Sequence, residues 1–136
     1  MPPAQPPPHF LSAPLLTLMV GVLGCGCAHA AWEKVDETKA ALFYADRASA
    51  RQVGRYHRVW TLIDFKAKQA DGTRSIRGLE EYDCIEQRVR FLSQTNHSEP
   101  MAEGTVLGGV GAIDHWDFIA PNTTLSRLMA VACSAK

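Results

Sequence analysis

The chain has 136 residues, with 14 Lys+Arg set against 14 Asp+Glu, and therefore no formal net charge at pH 7. Charge balance argues against general nucleic-acid binding, which needs a basic excess to neutralise phosphates. The length allows one domain with one core, small enough to gain from a covalent staple.

All charged side chains lie after Ala30, and Phe10 to Gly24 is an apolar run of 15 residues. A membrane-spanning helix needs about 20 such residues, so this run fits the core of an export signal better than an anchor. The Pro-rich start (Pro2, Pro3, Pro6, Pro7, Pro8) lacks the usual positive n-region. Either the signal is unusual or translation starts further in. Two processing sites compete. Ala28-His29-Ala30 is an A-x-A site that would leave residues 31–136 as the mature domain, with 1–30 as signal peptide. Val22-Leu23-Gly24-Cys25 resembles a lipobox, with Cys25 the candidate lipidated residue. Cleavage after Ala30 leaves Cys84 and Cys133 as an even pair, whereas lipobox processing leaves Cys27 unpaired, so cysteine parity favours the first. Either route places the domain in the periplasm, outer membrane or cell surface of a bacterium. No second apolar segment of membrane length follows.

Beyond the signal, Trp32–Val35 and Ala41–Ala45 are rich in β-formers and are expected to be two short strands. Asp46 to Gly54 is expected to be a polar connector. Tyr56 to Phe65 predicts a long strand, with Val59, Thr61, Ile63 and Phe65 alternating against Trp60, Leu62 and Asp64. Ala70-Asp71-Gly72-Thr73 is a turn signal. Ser75–Ile85 and Arg88–Asn96 predict consecutive strands, and in the second Val89 and Phe91 lie opposite Arg88, Arg90 and Leu92. Met101 to Gly111 is glycine-rich and predicts irregular chain with a short strand at Thr105–Leu107; Trp116–Ile119 closes it. Asn122-Thr123-Thr124 predicts a helix start, and Leu125, Leu128, Met129 and Ala132 then share one apolar face. Strands in succession before one terminal helix predict an α+β domain: an antiparallel sheet of five or six strands with the helix packed on one face.

In order, these pieces resemble the surface-adhesin protein E family of small exported bacterial proteins. The matching features are Trp32 opening the domain, Phe43-Tyr44-Ala45-Asp46 before a basic segment, and Val59-Trp60-Thr61-Leu62-Ile63-Asp64. Tyr82-Asp83-Cys84 with Arg88 and Arg90 downstream, then Trp116, Pro121 and Cys133, complete the pattern. The resemblance covers nearly all of residues 31–133. It implies an antiparallel sheet with a C-terminal helix held to one face by the cysteine pair, and it implies no catalytic residue. Some members of the family bind host extracellular-matrix proteins, which makes matrix or envelope proteins the expected partners.

An exported pair of cysteines is read by default as a disulfide, here Cys84–Cys133. Loop-closure entropy assigns roughly 4 kcal/mol to such a crosslink. The alternative is two free thiols, but the Asp83 carboxylate beside Cys84 would raise a thiol pKa and work against a nucleophile. His57, His97 and His115 stand without H-x-x-H, HExxH or paired-Cys spacing, so neither a metal nor a cofactor is expected. Arg47, Arg51, Arg55 and Arg58, with His57 among them, form a basic run without an acidic residue inside it. It is either a solvated face or a patch for an anionic partner such as a glycan, a lipid headgroup or an acidic protein surface. Trp32, Trp60, Trp116, Tyr44, Tyr56 and Tyr82 could form an aromatic binding surface, but on the strands of a small domain they are expected mostly in the core. Gly104–Gly111 lacks the pattern of a phosphate loop. Asn122-Thr123-Thr124 is a formal glycosylation sequon whose helix-capping role is sufficient reason for it.

These features favour a non-enzymatic exported domain that works through protein contacts. The alternatives are a small periplasmic ligand-binding protein or enzyme using Asp64, Glu80 or Asp83 on the sheet face, and an envelope lipoprotein anchored at Cys25.

Overall fold

The computed structural model describes residues 1–5 and 31–136. The apolar run, Cys25 and both processing sites therefore lie outside the described residues. Among those described, no helix is long and apolar enough to cross a membrane.

Among the described residues, seven strands precede one α-helix: β1 (Trp32–Glu37), β2 (Ala41–Val53), β3 (Tyr56–Phe65), β4 (Ser75–Asp83), β5 (Arg88–His97), β6 (Val106–Val110), β7 (Asp117–Phe118) and α1 (Thr124–Cys133). The first six are neighbours in chain order, all antiparallel, and β7 pairs with the start of β5. This is a meander, built by short reversals that keep each strand beside the one before it. The β2–β3 reversal needs only Gly54 and Arg55. Gly54 has φ 63°, a conformation that a glycine adopts without steric cost.

That hairpin corrects one expectation. Asp46 to Gly54 is not a connector, because β2 runs on to Val53 through an irregularity between Asp46 and Arg51. There Asp46 Oδ1 accepts from the Ala48 amide, while the Ser49 hydroxyl donates to the Asp46 carbonyl and accepts from the Trp60 amide. Side chains thus replace missing ladder bonds, and composition typical of a turn serves as a β-bulge. The glycine-rich segment also forms more strand than expected, β6 spanning Val106–Val110 rather than Thr105–Leu107. Gly109 is required in it, since a Cβ there would lie 2.5 Å from the Gln94 carbonyl oxygen on β5.

Alternation along the strands divides the sheet into two faces. On one, Ala45, Val59, Tyr82 and Val89 meet Ile119 and the Leu128, Val131 and Ala132 side chains of α1, forming the apolar core. The helix starts at Thr123, which accepts from the Ser126 amide while the Ser126 hydroxyl accepts from the Thr123 amide, a reciprocal cap. Asp36 on β1 binds the other side of this first turn, accepting from Thr124 Oγ1 at 2.6 Å and from the Arg127 guanidinium. At its far end α1 is crosslinked through Cys133 to Cys84, with a Cα–Cα distance of 6.0 Å. The helix is therefore held at both ends as well as along its buried face.

Candidate interaction surface

Among the described residues no α-helix packs on the opposite face. The short 3-10 turn Pro100–Ala102 covers its far end, where the Ser75 hydroxyl donates to the Glu99 carbonyl and accepts from the Ala102 amide. The most ordered feature of the rest is a set of charges set into the strands. Arg58, Glu81 and Arg90 are directly opposite one another on β3, β4 and β5. Glu81 is 1% exposed, and its two carboxylate oxygens are taken by Arg58 Nε at 2.6 Å and by Arg90 through two nitrogens at 2.8 and 2.6 Å. At the end of β4, Asp83 is fully buried and accepts from Arg55 and Arg88. Its other oxygen accepts from the amides of Ile85 and Glu86, so Asp83 also shapes the loop that returns the chain into β5. Burial pushes both carboxyls up. For Glu81 the hydrogen bonds and charge of Arg58 and Arg90 outweigh that and hold its pKa below the ordinary value. For Asp83 the Glu86 amide, with Arg88 and Arg55, does the same.

Aromatic rings complete the surface. Tyr56 on β3 and Trp116, just before β7, lie with centroids 5.1 Å apart and planes at 42°. The Arg88 and Arg90 guanidiniums sit 4.9 and 4.6 Å from the Trp116 ring centre, and Arg55 sits 5.4 Å from Tyr56. Further along, Arg77 covers Trp60 at 4.7 Å. The acids lie beneath, while arginines and half-exposed rings meet solvent. Such an arrangement presents planar, multidentate donors beside flat apolar surface, a combination suited to carboxylates and peptide groups on another macromolecule.

The four arginines of the basic run do not stay together. Arg51 lies directly opposite Arg58 across the β2–β3 hairpin, and Arg55 is in its turn, so these three border the arginine–aromatic surface. Arg51 is exposed, donates to the Ser49 carbonyl, and has no carboxylate partner among the described residues. Arg47 lies elsewhere, paired with Glu33 on β1 and lining a hollow beside α1 together with Arg127. The bulge between Asp46 and Arg51 separates it from the others.

Five of the six aromatics singled out are not core residues. Only Tyr82 is buried, whereas Trp32, Tyr44, Tyr56, Trp60 and Trp116 are partly exposed. The core expectation fails because arginine, rather than aliphatic side chains, covers three of those rings. Trp116 thus takes the surface role that ranked second to a core role in the sequence, whereas Glu81 was not foreseen at all. One signal was present: Glu81 and Asp83 share one parity on β4, and Arg88 and Arg90 share one parity on the next strand.

The three acids named for a ligand site do not converge. Glu80 is buried on the helix side, where it accepts from Thr61 at 2.7 Å and from the Tyr82 hydroxyl. Asp83 is on the open face, and Asp64 is buried opposite Ser75 at the far end of β4. A hollow of about 390 Å³ lined by Phe65, Ile76, Asn96 and neighbours includes none of them. Among the histidines, His97 is buried on β5 and His115 is exposed beside Asp117. His57 places Nδ1 3.2 Å from Cys84 Sγ.

A meander with one helix clamped to it by a cysteine crosslink is the architecture expected of the family that the sequence resembles. The chain belongs to it: the profile described as Surface-adhesin protein E matches residues 32–134. Solved structures of protein E from Haemophilus influenzae share the fold. The crystal structure from a non-typeable strain superposes with a TM-score of 0.56 at 14% identity, covering 78% of this chain and 77% of that one. A selenomethionine form gives 0.53 at 14% identity, with 74% and 90% covered, and a second crystal form gives 0.51 at 14%, with 74% and 91% covered. At such identity the likeness concerns the fold alone. No curated protein matches the chain in sequence.

Proposed function

We propose that this chain is a non-enzymatic exported domain that binds macromolecular partners, matrix or envelope proteins, through the open sheet face. The observation that supports this is the arginine–aromatic surface over Glu81 and Asp83. Its rings and guanidiniums are ordered by contacts with one another, so little side-chain freedom remains to be lost when a partner docks. Arg and Trp are also the residues most often found where binding energy concentrates. Membership of a surface-adhesin family agrees with this use. Export belongs to the same proposal, with residues 1–30 as the signal and Cys25 as the anchor if the lipobox is the site processed.

The test compares binding to immobilised matrix proteins and envelope fractions for the wild type, Arg51→Glu, Trp116→Ala and Arg47→Glu. The first two substitutions are expected to weaken binding at least about tenfold, and Arg51→Glu should also reduce its salt dependence. Arg47→Glu, on the helix side, should leave binding unchanged. Equal effects from Arg47 and Arg51, or none from Trp116 in variants with wild-type melting temperatures, would sink the proposal.

A further inference from the structure

His57, Cys84 and Cys133 reach one point from three separate parts of the chain: β3, the start of the β4–β5 loop and the last residue of α1. Their ligand atoms all lie within 4.8 Å of one another, and each residue is partly buried. His57 occupies the strand position directly opposite Tyr82 in the core. The loop after Asp83 is fixed by the bonds Asp83 accepts from the Ile85 and Glu86 amides. Cys133 follows Val131 and Ala132, both buried against the sheet. The three residues are thus positioned by contacts that do not depend on the crosslink.

Two thiolates and an imidazole are a soft donor set, suited to Zn(II) or Cu(I) and unsuited to Mg²⁺ or Ca²⁺. Around a tetrahedral Zn(II) with Zn–S of about 2.3 Å and Zn–N of about 2.0–2.1 Å, ligand atoms are separated by roughly 3.5–3.8 Å. His57 Nδ1 and Cys84 Sγ are already 3.2 Å apart. The largest change needed is separation of the two sulfurs, which χ1 rotation can provide once they are no longer bonded, while the other ligand atoms, all within 4.8 Å, need smaller adjustments.

We propose that the reduced chain binds one Zn(II) through Cys84 Sγ, Cys133 Sγ and His57 Nδ1, so that the crosslink and a metal clip are alternative ways of fastening α1 to the sheet. Reduction takes two electrons and two protons from a dithiol, which leaves as its own disulfide, and yields two thiols. Zn(II) then displaces those two protons, while His57 contributes the lone pair of Nδ1 and carries its ring proton on Nε2. Three protein ligands leave the fourth position to water. The inference is independent of the proposed partner surface, which lies on the other face.

The test uses the full mature chain, oxidised and after reduction with a phosphine, titrated with Zn(II) against a chromophoric chelator. The reduced chain should bind one equivalent and release two protons, and the oxidised chain none. Zn(II) should raise the melting temperature of the reduced chain only, which separates a folded site from cysteines chelating in an unfolded one. Co(II) should give the visible spectrum of a tetrahedral thiolate site. His57→Ala and, as a conservative second variant, His57→Gln should each weaken binding by more than about tenfold, the lower range for loss of a residue that merely supports a ligand. Any one of three results overturns the proposal: equal uptake by the oxidised chain, no rise in melting temperature on adding Zn(II) to the reduced chain, or unchanged affinity in both His57 variants.

Discussion

Adjacent residues of β4 show how position decides what a carboxylate does. Glu81 turns to the open face, meets two arginines and is held charged, while Glu80 turns to the core and meets only hydroxyls. Burial raises the Glu80 pKa, and the bonds from Tyr82 and Thr61 offset only part of it. The Tyr82 hydroxyl is pushed well above its ordinary value by the same burial and by the carboxylate beside it. A raised folded pKa contributes stability that is fully present below the unfolded value, ordinarily 4.5, and is lost as pH rises through the folded value. Glu80→Gln keeps the shape of the site. Its carbonyl can accept from Tyr82, and its amide can donate to Thr61 Oγ1, which already lies 3.4 Å from the Gly78 carbonyl and can donate there. Chemical denaturation at pH 5 and pH 8 should therefore find wild type losing stability relative to Glu80→Gln on going to the higher pH. Glu80→Ala, which strands the Tyr82 hydroxyl, should be less stable than either by about 1–3 kcal/mol. A pH-independent difference between wild type and Glu80→Gln would refute the assignment of an uncompensated buried acid.

For the helix, the relevant comparison is between its apolar face and its crosslink. Cys84→Ser is expected to remove roughly 4 kcal/mol of stability in non-reducing buffer, the loop-entropy value for a separation of 49 residues. Leu128→Ala, which opens a cavity against β2 and β3, should remove about 2–5 kcal/mol. Urea midpoints measure both, and an unchanged midpoint for Cys84→Ser would mean that the bond adds nothing to a helix already docked. This element could be read in advance, since its apolar face, its cap and its cysteine all lie within a dozen residues. The strand order could be read too, because reversals are short and alternation is clear in β3 and β5. The second half of β2 could not, because Asp46 and Ser49 build a bulge from residues that ordinarily end strands. Nor could the pairing of rings within the aromatic surface, where Trp116 reaches Tyr56 only because β7 returns to the start of β5. The approach of His57 to Cys84 has the same origin, depending on strand register as well as on the return of α1.

Taken as a whole, the molecule balances its charge locally as well as in total. Glu81 and Asp83 neutralise the arginines of the open face, Asp36 ties Arg127 of α1 to β1, and Glu37 holds Lys34 and Lys66. All four carboxyls have lowered pKa values. Thr124 and the Glu37 amide act most on Asp36, Lys66 and Lys34 act on Glu37, and Glu81 and Asp83 are lowered by their arginines and amides against burial. A lowered folded pKa contributes stability present above the unfolded value, ordinarily 3.8 for Asp and 4.5 for Glu, and lost as pH falls through the folded value. Glu80 acts with the opposite sign and in a higher window. Stability should therefore change gently between neutral pH and pH 5, then fall steeply below about pH 4, where four arginines on one face lose their counter-charges. Glu81→Gln tests whether the open face drives that fall. The partly exposed Arg58 and Arg90 can turn to water, so the loss at pH 7 should be about 1–3 kcal/mol, less than for a fully buried pair. The acid limb of melting temperature against pH should be correspondingly flatter in the variant, because one of the groups that must be protonated is gone. Curves that run parallel from pH 7 to pH 2 would place the acid sensitivity elsewhere, with Asp36 at the helix–β1 contact the next group to replace.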